Sequence, residues 1–324
     1  MNRRSILAGL AAPPALLAMA RVARAQPAWP ERPVQIIVPF AAGGGTDVTA
    51  RLLARFLDRH VGGRGVVVVN RPGAGGEIGM AAGAEAAPDG HVLTILNTPN
   101  LLTIPIERAA RFRLASFVPI ANLVDDPGTL SVRADGPIRT LPDLLGAMRE
   151  RPDSVTYGTA GVGSAGHIAM LLVIRAAGTT AEHVPFSGSS AVATALLGGQ
   201  IAVATANFGE AVSFAGGGGG WRILGVMAPT RLASHPDIPT FGELGMPVET
   251  GSLRGLGAPR GTPPATLTAI GRALDATMAD PEYRAAMAGA TQAIRYLKGE
   301  EYVASLARTE ADLRALWAAT PWNR

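Results

Sequence analysis

The stretch YGTAGVGSAGH carries residue types that can bind an anion or take part in catalysis. Gly161, Gly163 and Gly166 form the pattern G-x-G-x-x-G between a predicted strand and a predicted helix, which is the order found in dinucleotide-binding turns. Ser164 and His167 add a hydroxyl and an imidazole to the same turn. These residue types suit three kinds of site: a nucleotide site, a hydrolytic centre, or a turn that binds some other anion.

A nucleotide site is disfavoured by the position of the acidic residues. A dinucleotide-binding fold needs a carboxylate at the carboxyl end of the next strand, where it holds the ribose hydroxyls. The nearest candidate, Glu182, begins the predicted strand EHVPF and therefore lies at the opposite end of the sheet. The other glycine-rich turn, GGGTD, lacks both the dinucleotide fingerprint and the lysine of a phosphate-binding loop.

A hydrolytic centre is also disfavoured. The nucleophile elbow G-x-S-x-G is absent around Ser164, because Val162 occupies the position two residues earlier. Ser164 suits a helix N-cap or a hydrogen-bond donor to an anion, and His167 can donate either to a ligand or to the neighbouring loop. The chain has no Cys, and its other histidines are scattered without metal-ligand spacing. We therefore expect a protein that is not an enzyme and needs neither a metal nor a cofactor.

The elements that position this turn follow a pattern that occurs twice. The first half reads strand RPVQIIVPF, turn AAGGGTD, helix VTARLLARFLDRH, strand GVVVVN, helix IGMAAGAEAA and strand HVLTILNT. After residue 150 the series recurs as SVTYGTA, GVGSAG, HIAMLLVIRAAG, EHVPF, AVATALLGG and QIAVATAN. Alternating strands and helices, with apolar strands such as VVVV, predict mainly parallel sheets with helices on both faces.

This doubled pattern predicts two similar α/β lobes. The segment FVPIANLVDDPGTLSV should carry the chain into the second lobe, and GSLRGLGAP should return it to the first, which amphipathic helices then complete. The expected division is an N-terminal signal over residues 1–25, the first part of lobe 1 over 26–122, lobe 2 over 123–251, and the second part of lobe 1 over 252–324.

Both glycine-rich turns open a helix beyond the carboxyl end of a strand, which is where open α/β sheets bind ligands. A helix start presents unpaired N–H groups and a partial positive charge, so it attracts anions. Two such turns facing each other across a cleft would hold an anionic ligand from both sides. The alternative is that the glycines only permit close packing between strand and helix.

The N-terminus predicts export to the periplasm. Paired Arg3 and Arg4 precede an apolar run, and the small-x-small sequence ARA ends at Ala25, near which we expect cleavage. NRRSIL is typical of a twin-arginine signal, and a Sec signal with adjacent arginines is the alternative. The signal holds four of the 29 basic residues and no acidic residue, so its removal leaves 25 basic residues against 25 acidic ones. This balance disfavours nucleic-acid and anionic-membrane partners.

Several stretches together resemble a known family. RPVQIIVPFAAGGGTDVTARLLA, VVVVNRPGAGGEIG, AAPDGHVL, YGTAGVGSAGHIA, HVPFSGSSAVATALLGGQ and APRGTPPATL are similar to the substrate-binding proteins of tripartite tricarboxylate transporters, the Bug group of periplasmic receptors. The resemblance implies a monomeric, two-lobed periplasmic binding protein of the Venus-flytrap, type II-like class. It also implies that the lobes close on a small organic carboxylate and deliver it to a permease of one large and one small membrane subunit. Two other functions stay open, a receptor that signals to a membrane sensor and a periplasmic hydrolase.

The resemblance further implies which residues contact the ligand. The carboxylate-binding loop corresponds to Phe40, Ala42, Gly43, Gly44, Thr46 and Asp47. The opposing loop corresponds to Thr159, Ala160, Gly161, Gly163 and Ser164, with His167 behind it. The remaining expected contacts are Phe186, Ser187 and Gly188 of PFSGSS, Thr98 after the third strand, and Asn207 at the end of QIAVATAN.

The chain departs from the family pattern at several positions. Ala202 and Ala206 replace two usual aspartates, and the loss of these acids weakens the case for an amino-acid ligand. Glu77 stands where Asn or Thr is usual, and Arg254 stands where an aromatic residue is common. An arginine in the cleft can bind a second carboxylate in bidentate fashion, which favours a di- or tricarboxylate. The alternative is a hinge arginine that faces solvent.

Overall fold

The computed structural model describes residues 29–218 and 220–323. The predicted export signal, residues 1–25, lies outside the described residues. Within them, no helix combines the length and the apolar character that crossing a bilayer requires.

The first half of the chain builds a parallel three-stranded unit. Its elements are β1 (Val34–Val38), α1 (Gly45–Leu57), β2 (Val66–Asn70), α2 (Glu77–Ala84), β3 (Val92–Asn97) and α3 (Asn100–Glu107). Strand β1 pairs in parallel with β2 on one side and with β3 on the other. Its central position explains its apolar sequence, because a parallel strand covered by helices is buried on both faces.

The second half repeats this unit after a long crossing strand. The elements are β4 (Phe117–Arg133), α4 (Leu141–Glu150), β5 (Thr156–Thr159), α5 (Ala165–Ala177), β6 (Glu182–Pro185), α6 (Ser189–Leu197), β7 (Val203–Asn207), α7 (Phe208–Ala215) and β8 (Trp221–Val226). Strand β5 pairs in parallel with β6 and with β7. The spatial orders β2-β1-β3 and β6-β5-β7 are therefore equivalent.

The chain then returns to the first half. The elements are β9 (Gly251–Pro259), α8 (Pro264–Ala279), α9 (Pro281–Gly289), β10 (Ile294–Lys298) and α10 (Gly299–Ala319). Strand β9 inserts between β3 and β4 and runs antiparallel to both. Strand β10, which the sequence pattern does not predict, pairs antiparallel with β4.

Strands β4 and β9, which cross between the halves, add antiparallel pairs to the parallel ones. Strand β4 pairs with β9 as far as Pro127 and with β7 from Gly128 onward, so one strand serves both halves. The predicted α/β class and doubled βα pattern are confirmed, and the parallel pairs are those of the βα units. The antiparallel pairs arise because the strand that leaves the first half and the strand that returns run in opposite directions. The expected boundaries at 122/123 and 251/252 fall inside β4 and β9, and they stay a prediction.

Each half has its own apolar core. In the first half, Leu53 of α1 and Ile95 of β3 belong to one buried cluster with side chains of β9 and α8. In the second half, Met170 of α5 and Val203 of β7 belong to another. A third cluster joins the halves, because Ile168 of α5 packs among side chains of α3 and α10.

Close packing of α2 on β1 depends on Gly79, and this can be tested. A Cβ on Gly79 would lie 2.6 Å from Pro39 Cα and 2.8 Å from the carbonyl oxygen of Arg71. Because both are backbone atoms, Gly79→Ala should lower the free energy of unfolding by about 1–3 kcal/mol. Gly271→Ala in α8, where a Cβ meets nothing within 4 Å, should raise it by about 0.5–1 kcal/mol. Chemical denaturation measures both changes, and equal effects would contradict this account of the packing.

Candidate functional site

A cavity of about 40 Å³ lies in the crevice between the halves, where the starts of α1, α5, α6 and α7 meet. The predicted site residues that line it are Phe40, Gly44, Thr46, Ala160, Ser164, Gly188, Asn207 and Arg254. The other lining residues are not among the predicted ones, and they are Ala41, Asn97, Asn100, Ala165, Gly166, Ser189, Thr205, Ala206, Glu210 and Ser252. The predicted residues outside the lining are Ala42, Gly43, Asp47, Thr98, Thr159, Gly161, Gly163, His167, Phe186 and Ser187.

Asp47 holds the loop that precedes α1. Its carboxylate accepts hydrogen bonds from the Gly43 N–H at 2.9 Å, from Arg51 Nε at 2.8 Å and from Asn70 Nδ2 at 2.9 Å. Burial alone would raise the pKa of Asp47, but these hydrogen bonds outweigh burial and hold the pKa below its usual value. The carboxylate therefore fixes the shape of the loop instead of reaching into the cavity.

The start of α1 receives no side-chain cap from its own lobe. Its N-cap residue is Gly44, which has no side chain to offer. The Gly45 N–H donates instead to Glu210 Oε1 at 2.8 Å, across the crevice. Thr46 contributes its hydroxyl, which donates to Asn97 Oδ1 at 2.9 Å inside the first lobe.

At the start of α5, Ser164 and His167 form hydrogen bonds within the same turn, while two backbone N–H groups have no acceptor among the described residues. Ser164 Oγ accepts from the His167 N–H at 3.4 Å, and His167 Nδ1 accepts from the Gly163 N–H at 3.0 Å. The N–H groups of Ala165 and Gly166, which line the cavity, have no acceptor among the described residues. First-turn N–H groups have no partner inside their own helix, so this helix start can bind an anion.

The glycines of the same turn also serve packing. A Cβ on Gly166 would lie 2.2 Å from Thr205 Oγ1 of β7, and a Cβ on Gly163 would lie 2.7 Å from Thr103 Oγ1 of α3. Gly163 also has a φ of 69°, which favours glycine. Close packing therefore requires these glycines whether or not an anion binds beside them.

His167 belongs to a buried aromatic stack. Its ring stacks on that of His183 with centroids 3.9 Å apart, and His183 stacks on Tyr157 at 5.0 Å. Burial, together with the neighbouring His183, lowers the pKa of His167 to about 3, and burial lowers the pKa of His183 to about 4. Ser164 bonds to the backbone of His167, so the two residues form a helix cap and not the hydroxyl–imidazole pair of a nucleophilic enzyme.

Arg254 lies on β9 beside the cavity and is 1% exposed. Its guanidinium lies 2.7 Å from the Asp126 carboxylate of β4 and donates to Gln292 Oε1 at 2.7 Å. Burial raises the pKa of Asp126 to about 6, and Arg254 opposes that rise. Arg254 therefore does not face solvent, which was the alternative, and it already has a carboxylate partner.

Glu210 is an acidic residue that lines the cavity and is not among the predicted site residues. The alanines at 202 and 206 indicated a cleft without acids, and Ala206 does line the cavity. Glu210 restores a carboxylate from the first turn of α7, so the missing aspartates no longer argue against an amino-acid ligand. A sequence signal existed, because Asn207 followed by Glu210 is a capping box, and the Asn207 N–H donates to Glu210 Oε2 at 3.2 Å.

Two predicted site residues stabilise the lobes themselves. Phe186 packs with the apolar side chains of the second half, and its Cε2 lies 3.0 Å from where a Cβ on Gly158 would be. Thr98 joins β3 to β9, because its hydroxyl accepts from the Leu253 N–H at 2.9 Å. Among the described residues, no group of three or more acidic or histidine side chains could hold a metal ion.

Comparison with known proteins now identifies the family. Residues 49–310 match the family described as "Tripartite tricarboxylate transporter family receptor". The chain belongs to this receptor family. BugT of Bordetella pertussis is 33% identical over 248 residues, which cover 75% of this chain and 76% of BugT. The resemblance seen in the sequence is confirmed.

Similar solved structures confirm the two-lobed fold. A Rhodopseudomonas palustris protein determined with adipate has a TM-score of 0.85 and 28% identity, and the match covers 90% of this chain and 97% of that protein. MatC from Rhodopseudomonas palustris, determined with bound malate, has a TM-score of 0.80 and 28% identity over 89% of this chain and 98% of MatC. Both therefore have the flytrap architecture of this receptor.

The stacked histidines predict a loss of stability in mild acid. A histidine titrates near about 6.5 in an unfolded chain. The unfolded receptor therefore takes up protons below that pH, while the folded rings stay neutral until about 4 and about 3. The stability that depends on these rings is complete above about pH 6.5 and is lost as the pH falls.

Asp126 has the opposite effect on the free energy of unfolding. Its pKa is raised to about 6 in the folded receptor, so it adds stability as the pH falls below that value.

The His167→Asn variant separates the contribution of His167 to the pH dependence of stability from that of Asp126. His167→Asn, which keeps a hydrogen-bond acceptor close to Nδ1, should reduce the slope of stability against pH between 6.5 and 4 by about 1.4 kcal/mol per pH unit. His60→Gln, at an exposed position, should leave the slope unchanged. Denaturant unfolding at several pH values measures this. A His167→Asn slope equal to that of the wild type would contradict the assignment.

Proposed function

We propose that this receptor captures a small organic carboxylate in the periplasm, without catalysis, and delivers it to a tripartite tricarboxylate-type permease of one large and one small membrane subunit. The observation that carries the proposal is that the N–H groups of Ala165 and Gly166 in the crevice have no acceptor within residues 29–218 and 220–323. Neighbouring N–H donors at a helix start match a carboxylate in both geometry and charge. Family membership supports the permease as the destination.

A di- or tricarboxylate is the favoured cargo. Adipate and malate, the acids in the two related structures, are both dicarboxylates. The crevice also offers a second helix start, that of α1, against which the Arg254 guanidinium lies, because a Cβ on Gly45 would be only 2.6 Å from Arg254 Nη2. A ligand with a carboxylate at each end would connect the starts of α1 and α5, and so would connect the two lobes.

Closure of the lobes fits this binding mode. The lobes touch across the crevice, because Thr103 Oγ1 of α3 donates to the Gly163 carbonyl at 2.8 Å. The cavity of about 40 Å³ is smaller than the few hundred Å³ of ordinary ligand pockets. The lobes must therefore separate about β4 and β9 before cargo enters, and close again around it.

Binding without catalysis is supported by the state of the two residues that could have formed a catalytic pair. The Ser164 hydroxyl accepts from a backbone N–H at the helix start. The His167 ring is buried, stacked on His183, and occupied at Nδ1 by the Gly163 N–H. A general base must be within hydrogen-bond reach of the proton that it removes, and this ring has another partner.

The carboxylate position can be tested at Ala165, the first residue of α5. Proline is tolerated at this helix position because the helix does not use its N–H, and the ψ of 165° at Ser164 suits a residue before proline. Ala165→Pro should remove one donor and weaken binding by about 1.5–3 kcal/mol. Ala165→Gly, which keeps the N–H, should bind nearly as the wild type does.

Calorimetry with adipate, malate and a panel of mono- and tricarboxylates measures these affinities, and thermal unfolding checks that both variants are folded. Equal binding by folded Ala165→Pro and Ala165→Gly would place the carboxylate away from α5. Failure of every acid in the panel to bind the wild type would contradict the proposed function itself.

A further inference from the structure

The Glu210 side chain connects the two lobes. Glu210 is 8% exposed, and its two carboxylate oxygens accept hydrogen bonds from different partners. Oε2 accepts from the Asn207 N–H of its own lobe at 3.2 Å, and Oε1 accepts from the Gly45 N–H of the other lobe at 2.8 Å. One carboxylate therefore caps the starts of α7 and α1 together.

The cap at α1 differs from the caps of α4, α5 and α9. Ser164, Thr140 and Asp280 cap α5, α4 and α9 from the residue directly before each helix. At α1 the preceding residue is Gly44, which has no side chain, so the Gly45 N–H donates to Glu210, which lies 165 positions further along the chain. Opening the lobes would leave the Gly45 N–H without this acceptor.

Charged side chains surround the same position. Arg254 Nη2 lies 3.9 Å from Glu210 Oε1 and 2.7 Å from Asp126 Oδ2. The buried cluster thus holds two carboxyl groups beside one guanidinium. A third carboxylate, brought by cargo, would have to lie beside both acids at close range, which like-charge repulsion opposes in a buried site.

We propose that Glu210 is a built-in carboxylate that occupies the anion position at the start of α1, holds the lobes together, and must be displaced by the second carboxylate of a dicarboxylate cargo. The inference rests on the proposed function. A monocarboxylate bound at the start of α5 leaves Glu210 in place, whereas a dicarboxylate that reaches α1 competes with it. Glu210 is then a specificity-determining residue, because it sets how much affinity the second carboxylate of a ligand adds.

The test compares Glu210→Gln and Glu210→Ala with a matched control. Asp143→Asn also removes an acid from a capping box in the second lobe, at Thr140 of α4, but Asp143 is exposed and does not line the cavity. Small-angle scattering without added acid gives the radius of gyration. Glu210→Ala should have a larger radius than both the wild type and Asp143→Asn, because the bond to Gly45 is lost.

Calorimetry supplies the second readout, with adipate and its monocarboxylate counterpart hexanoate. Both Glu210 variants should bind adipate more tightly than the wild type, Glu210→Ala by about tenfold or more, a factor that corresponds to about 1.4 kcal/mol. Their affinity for hexanoate should change much less. Asp143→Asn should match the wild type with both acids.

Either of two results would overturn the inference. An unchanged radius in Glu210→Ala would mean that the residue does not hold the lobes together. An unchanged adipate affinity in the Glu210 variants would mean that the cargo does not displace Glu210. A lower adipate affinity would mean that Glu210 itself accepts a hydrogen bond from the ligand. If the wild type bound neither these two acids nor any other acid of the carboxylate panel, the proposed function would fail, and the scattering result alone would decide whether Glu210 holds the lobes together.

Discussion

The first-turn N–H groups of a helix have no partner inside the helix, and the function of this receptor depends on where those groups lie. In both lobes a helix begins just beyond the carboxyl end of a parallel strand, so α1 and α5 start at the same crevice. Away from the crevice, α4 and α9 are capped by Thr140 and Asp280 of their own segments. In the crevice, α1 is capped from the opposite lobe and α5 keeps two donors for another partner.

The buried charges couple this crevice to the hinge. Arg254 and Asp126 lie on β9 and β4, the two strands that connect the lobes, and both are almost fully buried. Separating a buried ion pair is costly, because each charge loses its partner without regaining water. The pair therefore favours an intact hinge, while Glu210 reaches α1 of the other lobe through its hydrogen bond from the Gly45 N–H. Closing and opening can then change the Glu210 contact and leave the Arg254 pair in place.

Much of the fold follows from local sequence. The apolar runs and glycine-rich turns predict each βα unit, and the parallel orders β2-β1-β3 and β6-β5-β7 are those units repeated. Strand β10 is different, because IRYLK forms a strand only through pairing with residues about 170 positions earlier, such as Ile294 with Val124. Such long-range pairing leaves no signal in a local pattern.

The site was predictable to the extent that it consists of helix starts. Gly44, Ser164 and Gly188 precede helices at recognisable turns, and they line the cavity. The roles of Asp47 and Glu210 depend on tertiary contacts instead. Asp47 turns back to its own loop because Arg51 and Asn70 surround it, and Glu210 crosses to Gly45 because the lobes close. The capping box at Asn207 predicts that Glu210 lies in the first turn of α7, but it does not predict that the carboxylate also contacts the start of α1.

The central claim is that a cargo carboxylate binds at the start of α5. The most direct measurement is the crystal structure of the receptor with the acid that stabilises it most in a thermal screen. We expect carboxylate oxygens about 2.7–3.2 Å from the backbone nitrogens of Ala165 and Gly166. A complex in which the acid occupies another site, with these two N–H groups still unpaired, would contradict it.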